Sequence, residues 1–404
     1  MEPYDCLIVG AGPVALAMAK TLQLRGLSYS LCGELPHQRP NSPDLRTAAL
    51  FDGSVRLLKT LGAWPHVEPL AAPLVAIRII DATGRLFRAP EQLFAAADIG
   101  TCELGFNIPN PVLIDAFREA LKAAIDVNEN HPDEINLTAK VTAITVSGSG
   151  VTATLADGTS RMGRIAIAAD GRNSVTRAAA SINVRTWNHN QAALTAHFDH
   201  EFSNQAISTE IHAVTGPCTV VPLSANRSSL VWMEQPDRAA ELAGLNDTHF
   251  IEALEFRLAG LLGPIRSVTT RRVFPLSSLI ADRFAANRVA LIGESGHAFP
   301  PIGAQGLNLG LRDVASLADH LAEARLAGKD VGSDEVLNTY STSRSADILA
   351  RTYGVDAFNA SLTGGPAGLL RGAAFHATKA SPSVKRFLME RGMQPIGAWP
   401  SMMR

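Results

Sequence analysis

The chain has 404 residues, of which 46% are apolar and 18% charged, a balance that suits a globular protein of two or three domains at about 150 residues each. Lysine and arginine number 36 against 38 aspartate and glutamate, for a formal charge of −2. This excludes a polybasic nucleic-acid binder, which needs a surplus of cations, and an acidic disordered tail.

The run Cys6-Leu7-Ile8-Val9 stops at Gly10, as a buried parallel strand does. Gly10-Ala11-Gly12-Pro13-Val14-Ala15 follows in the G-x-G-x-x-A form of a dinucleotide-binding turn. Gly10 permits the tight turn, Gly12 leaves room for a pyrophosphate, and Ala15 lets the helix lie close on the strand. The spacing predicts a helix from Pro13 to about Arg25, closed by Gly26, and a second strand over Leu27 to Leu31. An acid after that strand would hold a ribose, and Glu34 is the candidate. Taken alone, the glycines also suit an ordinary strand-turn-helix; the strand-turn-helix-strand context points to a nucleotide. The same apolar stretch, Cys6 to Ala19, superficially resembles a signal-peptide core, but Glu2 and Asp5 precede it where such a peptide carries Lys or Arg.

Regular βαβ units do not continue. Asp44-Leu45-Arg46-Thr47-Ala48-Ala49-Leu50 leads into a predicted helix carrying Val55, Leu58 and Leu61. Val141 to Val146 and Val151 to Leu155 read as a hairpin turning near Ser147-Gly148-Ser149-Gly150. Ile165 to Ala169 then reads as a strand delivering Asp170-Gly171 at its carboxyl end, where open α/β sheets place ligand groups. In isolation Asp-Gly is better read as a type I or II turn.

The strongest segment comes late. Arg288 to Ile292 is a buried strand ending in Gly293 and Glu294. A loop with His297, Pro300, Pro301, Gly303 and Gly306 opens onto a helix whose Leu307, Leu311, Val314, Ala318 and Leu321 form one stripe. Backbone amides at such a helix start stabilise negative charge, either a phosphate or the anionic edge of a reduced flavin.

Together these segments resemble the FAD-dependent aromatic hydroxylases of the para-hydroxybenzoate hydroxylase superfamily, most of all the UbiH/UbiF-type hydroxylases of ubiquinone biosynthesis. The residues that carry the resemblance are Asp44 to Leu50 with Leu57 to Trp64, and the run Phe299 to Asp313. Gly216-Pro217, Val221-Pro222-Leu223 and Leu230-Val231-Trp232 match the family's substrate-side sheet, while Arg351 and Asp356 to Asn359 match its C-terminal helical region. Departures are Glu294 in place of the usual Asp, Ser295 and Gly296 in place of alanines, a ribose acid, Glu34, that stands late after its strand, and a last segment, 364–404, that keeps little of the pattern.

The resemblance implies an α/β fold: a Rossmann-like FAD-binding domain interleaved with a mixed β-sheet substrate domain and followed by a C-terminal helical region. The expected boundaries are 1–75, 105–180 and 278–330 for the first, 76–104 and 181–277 for the second, and 331–404 for the third. It places Gly10, Gly12 and Ala15 on the ADP half of FAD, where Glu34 stays the ribose candidate read from its position after the second strand, and Arg46 near the pyrophosphate or ring. Asp170 and Gly171 lie beside the pyrophosphate, and Gly293 and Glu294 on the ribityl chain. Gly303, Ala304, Gln305, Gly306, Leu307 and Asn308 come under the isoalloxazine. His297, Pro301 and Gln305 are flavin-proximal candidates, with His297 equally readable as structural; Pro222 and Trp232 are candidate substrate contacts. No metal is implied.

The expected reaction is hydroxylation of a polyprenylated phenol through a flavin 4a-hydroperoxide, with molecular oxygen as co-substrate. A hydroxylase of a small soluble aromatic and a non-catalytic FAD-binding accessory protein remain as alternatives. No second GxG turn suits NAD(P)H, so the reductant is either NAD(P)H bound at the surface or a protein electron donor. The four cysteines, Cys6, Cys32, Cys102 and Cys218, form no CxxC pair and suit a reducing compartment. The expected location is therefore the cytoplasm, with peripheral contact to the inner face of the membrane or to other quinone-biosynthesis proteins. Phe387, Leu388, Met389, Trp399, Met402 and Met403 either touch lipid or pack on the body, and packing is the favoured expectation.

Overall fold

The computed structural model describes residues 3–35, 44–84, 89–125, 134–363 and 366–404. Its first sheet is built around Tyr4–Val9, whose last four residues are buried on both faces. Tyr4–Val9 pairs in parallel with Tyr29–Cys32 on one side and Ser160–Ala168 on the other, and Ser160–Ala168 pairs in parallel with Val289–Leu291. The registers align Cys32, Val9, Ala168 and Leu291 in one row at the carboxyl ends. Four loops from distant parts of the chain therefore emerge at one edge, the place where open α/β sheets bind ligands. The hairpin Val141–Val146 and Val151–Leu155 forms as expected and extends Ser160–Ala168.

The first helix, Pro13–Leu24, starts with Pro in its first turn and buries every residue from Ala15 to Leu22. It lies under a second helix, Gln305–Leu326, called here the cradle helix. A Cβ on Gly310 would stand 3.1 Å from Val14 Cγ2, so the missing side chain lets the two helices approach closely. The segment Cys6 to Ala19 is thus the first strand and much of the first helix, inside the core.

Among the described residues the second sheet has nine strands in the order His297–Ala298, Arg272–Ala281, Val184–His200, Arg227–Glu234, Gly216–Ser224, Ile207–Ala213, Ala76–Asp81 and Gln92–Ala95, with Ile265–Val268 also on Val184–His200. Its outer face buries Leu194, Phe198, Val220, Leu230 and Trp232 against Phe250, Leu254 and Leu258 of the helix Asp247–Leu258. Its inner face looks toward the first sheet. A small antiparallel sheet, Ala72–Leu74, Gly105–Pro109 and Thr47–Phe51, lies between them, and the long helix Asp334–Thr363 crosses the assembly.

Three local expectations shift. The helix expected to carry Val55, Leu58 and Leu61 runs Asp52–Thr60, with Leu61 at its cap, and the segment leading into it is the strand Thr47–Phe51, paired antiparallel with Gly105 to Pro109. The second strand begins at Tyr29 rather than Leu27, where pairing with Cys6 starts. The boundary placed between 277 and 278 falls inside the strand Arg272–Ala281.

Candidate active site

At the edge where the four loops meet, Gly10 has φ +137°, and a Cβ there would lie 2.3 Å from the Ala169 carbonyl oxygen. The chain can pass only as glycine. Gly33 is equally confined, with its Cβ position 2.7 Å from the Gly10 carbonyl carbon. Gly12 is the opposite case: a Cβ there meets nothing within 4 Å, so open space lies before the first helix. No side chain caps that helix and no acid occupies its first turn, leaving its amides and positive dipole end for an anion. Ala15 is fully buried behind it. Glu34 is exposed two residues past Cys32, bridged to Thr138.

Ser160–Ala168 delivers Asp170. One carboxylate oxygen accepts from the Thr176 amide and hydroxyl at 3.1 and 2.9 Å; the other, Oδ1, is buried with no partner. Gly171 has φ +79° and open space at its Cβ position. Arg177, 8% exposed, donates to the carbonyls of Ser295 and Arg172 at 2.7 and 2.8 Å and so ties this loop to the one after Val289–Leu291. Burial lowers its guanidinium pKa.

Glu294 is exposed and stands 3.4 Å from Arg172 Nε. Arg46 makes a bidentate pair with Asp44, both bonds 2.8 Å. Hydrogen bonding to Asp44 raises the Arg46 pKa, with Glu294 adding a smaller push. Burial alone would raise the Asp44 carboxyl, but the Arg46 bonds outweigh it and hold the group below its usual value.

The cradle helix opens from Gly303 at φ +63° and Ala304 at φ +53°. Cβ positions on Gly303 and Gly306 meet at most one atom, 4.0 Å away, and no acid lies in the first turn. Pro301 is exposed and Leu307 half-buried. Gln305 is nearly buried: its Nε2 donates to the Gly303 carbonyl at 2.8 Å, and its Oε1 has no partner. These residues fit FAD. Two uncapped helix starts face open space, and two buried acceptors, on Asp170 and Gln305, lack donors, each at about 1–3 kcal/mol if left so.

Residues 3–351 match the family described as FAD binding domain. The chain belongs to this family. Ubiquinone hydroxylase UbiL of Rhodospirillum rubrum is 32% identical over 400 residues, covering 98% of this chain and 91% of the relative. The 3-demethoxyubiquinol 3-hydroxylase of Escherichia coli is 29% identical over 367 residues, covering 89% of this chain and 90% of the relative. Among solved structures, p-nitrophenol 4-monooxygenase PnpA from Pseudomonas putida superposes with a TM-score of 0.78 at 21% identity, covering 98% of this chain and 100% of the other. That last likeness is one of fold.

Within this FAD-binding protein, two candidates turn away from the cradle. Asn308 is 2% exposed and spends its amide elsewhere: Oδ1 accepts from the Phe51 amide (3.0 Å) and the Ser54 hydroxyl (2.7 Å), and Nδ2 donates to the Ala49 and Ala304 carbonyls (2.8 and 2.7 Å). It bolts the cradle helix to Thr47–Phe51. Trp232 lies on the outer face, in the core with Phe250, and so faces away from the first sheet. Strand alternation did not reveal this because helices cover that face too. Pro222 is buried and its carbonyl accepts from Asn107 Nδ2 at 2.8 Å.

His297 is 2% exposed, with Nε2 2.6 Å from Asp313 Oδ2. The same carboxylate accepts from the Gly293 amide at 3.0 Å and, through Oδ1, from Arg344 Nε at 2.8 Å. Arg344 continues to Asp347 at 3.2 Å, which also accepts from Arg312 at 2.7 Å. Desolvation would raise the Asp313 carboxyl; His297 and Arg344 together overcome it and hold the pKa below normal. Burial pulls the Arg312 guanidinium down to about 10. The sequence reading assigned no role to Asp313, Arg344, Asp347 or Arg312. Arg312 and Asp313 close the run that carries the resemblance, while Arg344, Asp347 and Arg351 stand at helical spacing, a pattern that ordinarily marks a surface ion-pair stripe.

The inner face of the second sheet completes the region. Ala193 lies opposite Met233 and Phe274, Thr195 opposite Val231 and Arg272, and His197 opposite Ser229, so these side chains share one face. Ser229 Oγ is 3.1 Å from Thr47 Oγ1, and His197 Nε2 donates to the Leu45 carbonyl at 2.9 Å, which seats the face against the Arg46 segment.

Proposed function

We propose that this protein is an FAD-dependent monooxygenase that hydroxylates the aromatic ring of a polyprenylated phenol on the route to ubiquinone. The observation that carries this reading is the 98% coverage of the chain by its similarity to a named ubiquinone hydroxylase. When bound, FAD supplies the activation of dioxygen and the transfer of one oxygen atom. The chain supplies position, field and dryness. The first-helix amides and Gly12 hold the pyrophosphate, Glu34 the ribose and Glu294 the ribityl hydroxyls. Amides from Gly303 to Leu307, at the positive end of the cradle helix, stabilise negative charge on the reduced ring. Ala193, Val231, Met233 and Phe274 give the aromatic substrate an apolar floor that excludes water. His297 is a positioning residue, acting through Asp313 on the Gly293 amide. The reductant is either NAD(P)H at the surface or a protein donor.

A prenylated substrate resides in a bilayer. Among the described residues no helix is long and apolar enough to cross a membrane. The helix Pro382–Met393 exposes Val384, Phe387 and Leu388 on one stripe, and we assign that stripe to peripheral lipid contact.

The test offers the FAD-loaded protein a chemical reductant, isotope-labelled dioxygen and a prenylated phenol, with the unprenylated phenol in parallel, and reads products by mass spectrometry. The expected result is one labelled oxygen on the prenylated ring. Flavin turnover without labelled product, or label on the unprenylated phenol alone, overturns the reading.

A further inference from the structure

The long helix Asp334–Thr363 presses polar side chains onto the second sheet at a place that nothing above uses. Asn359 is 4% exposed, and its Nδ2 donates to Gln191 Oε1 at 2.8 Å. Gln191 Nε2 in turn donates to the Thr215 carbonyl at 2.7 Å. A carbonyl only accepts, so the Gln191 amide has one orientation, its oxygen faces Asn359, and Asn359 must offer nitrogen to it. Asn359 Oδ1 is thereby left as a buried acceptor without a partner.

Asp356, three residues earlier, repeats the arrangement. Ser278 Oγ donates to Asp356 Oδ1 at 2.9 Å, and His189 Nε2 lies 2.8 Å from the same hydroxyl. The serine has one proton and gives it to the carboxylate, so His189 must donate through Nε2–H. Burial lowers the His189 pKa, which agrees with a neutral ring in that tautomer. Asp356 Oδ2 is left buried with no partner. Residues three apart share a helix face, and both contact the sheet on the face that carries the apolar floor. Gln191 pairs with Leu276, two residues from Phe274 on one side and from Ser278 on the other.

We propose that Asp356 Oδ2 and Asn359 Oδ1 accept hydrogen bonds from ring hydroxyls of the substrate, so that the site selects a phenol or hydroquinol and rejects the corresponding quinone or ether. Resting on the proposed function, this adds the chemical state of the ring. Each hydroxyl brings one proton, so a phenol satisfies one buried acceptor and a hydroquinol can satisfy both. A quinone carbonyl or an ether oxygen brings only lone pairs and leaves the acceptors unpaired against like charge. Gln191, Ser278 and His189 are positioning residues that fix which atoms point inward.

The experiment measures dissociation constants on oxidised, FAD-loaded protein from perturbation of the flavin spectrum. The probes are a geranylated hydroquinone, its quinone and its dimethyl ether. Wild type is expected to bind the hydroquinone about tenfold or more tightly than the ether. In Asp356→Asn the oxygen stays with Ser278 and an N–H points inward, so hydroquinone affinity falls while quinone affinity rises. Asn359→Ala lowers hydroquinone affinity alone. FAD content reports folding of each variant. Equal wild-type affinity for hydroquinone and ether overturns the proposal without any variant, as do folded variants that keep the wild-type ratio. The two proposals fail separately: labelled product from a protein blind to ring hydroxyls sinks only this one, and selective binding without product sinks only the function.

Discussion

Asp313 is fully buried, and it joins the Gly293 amide, His297 and Arg344 around one carboxylate. Removing its charge strands two buried cation-capable partners, so Asp313→Asn should cost about 3–5 kcal/mol and loosen the Gly293 loop. The pH dependence follows from the direction of the shift. A carboxyl whose folded pKa lies below its unfolded value contributes fully above the unfolded value, about 3.9 for aspartate, and loses that contribution as pH falls through the folded pKa. Urea unfolding should therefore show a stability gap between wild type and Asp313→Asn that is constant near neutrality and closes below about pH 4. A gap unchanged in acid would contradict the assignment. None of this was legible from the sequence, because the partners lie 16 and 31 residues away and only folding brings them together. The side-chain partners of Asn308 are a related case. The resemblance places Asn308 with Gly303 to Leu307 under the ring, and only the fold shows its side-chain amide bonded to Ala49, Phe51, Ser54 and Ala304.

At the scale of elements, strand-glycine-helix units were the most legible parts of the chain. Tyr4–Val9 with Pro13–Leu24, and Val289–Leu291 with Gln305–Leu326, each announce themselves through an apolar run, glycines and a helical stripe. Strand faces were harder. On Arg227–Glu234 both Trp232 and Val231 are apolar, and both faces of the sheet are covered, so period-two alternation carries no sign of which side meets a ligand. The C-terminal segment divides as expected in the main. Met389 and Met403 are buried, and Trp399 and Met402 pack against the core. Phe387 and Leu388 remain 55% and 45% exposed. If that stripe meets lipid, Phe387→Ser with Leu388→Ser should reduce co-sedimentation with anionic vesicles several-fold while leaving FAD content unchanged; undiminished sedimentation would remove the lipid assignment.

The whole molecule turns on parallel strands that are remote in sequence and adjacent in the sheet. Registers bring Val9, Cys32, Ala168 and Leu291 into one row, and the loops bearing Gly12, Glu34, Asp170 and Glu294 follow from that row. The individual loops could be read from the chain; their convergence came from the resemblance, since no local pattern specifies which strand neighbours which. Gly10 and Gly12 separate the two roles a glycine can have here. The first is confined by the Ala169 carbonyl, whereas the second borders open space. A carboxylate introduced at Gly12 should therefore leave the fold intact and repel a pyrophosphate. The most direct measurement is FAD bound per chain after reconstitution, read by absorbance alongside thermal unfolding, for wild type and Gly12→Asp. The expected outcome is a yellow wild type and a colourless variant of unchanged thermal midpoint; a folded Gly12→Asp protein that takes up FAD as wild type does would contradict the placement of the cofactor.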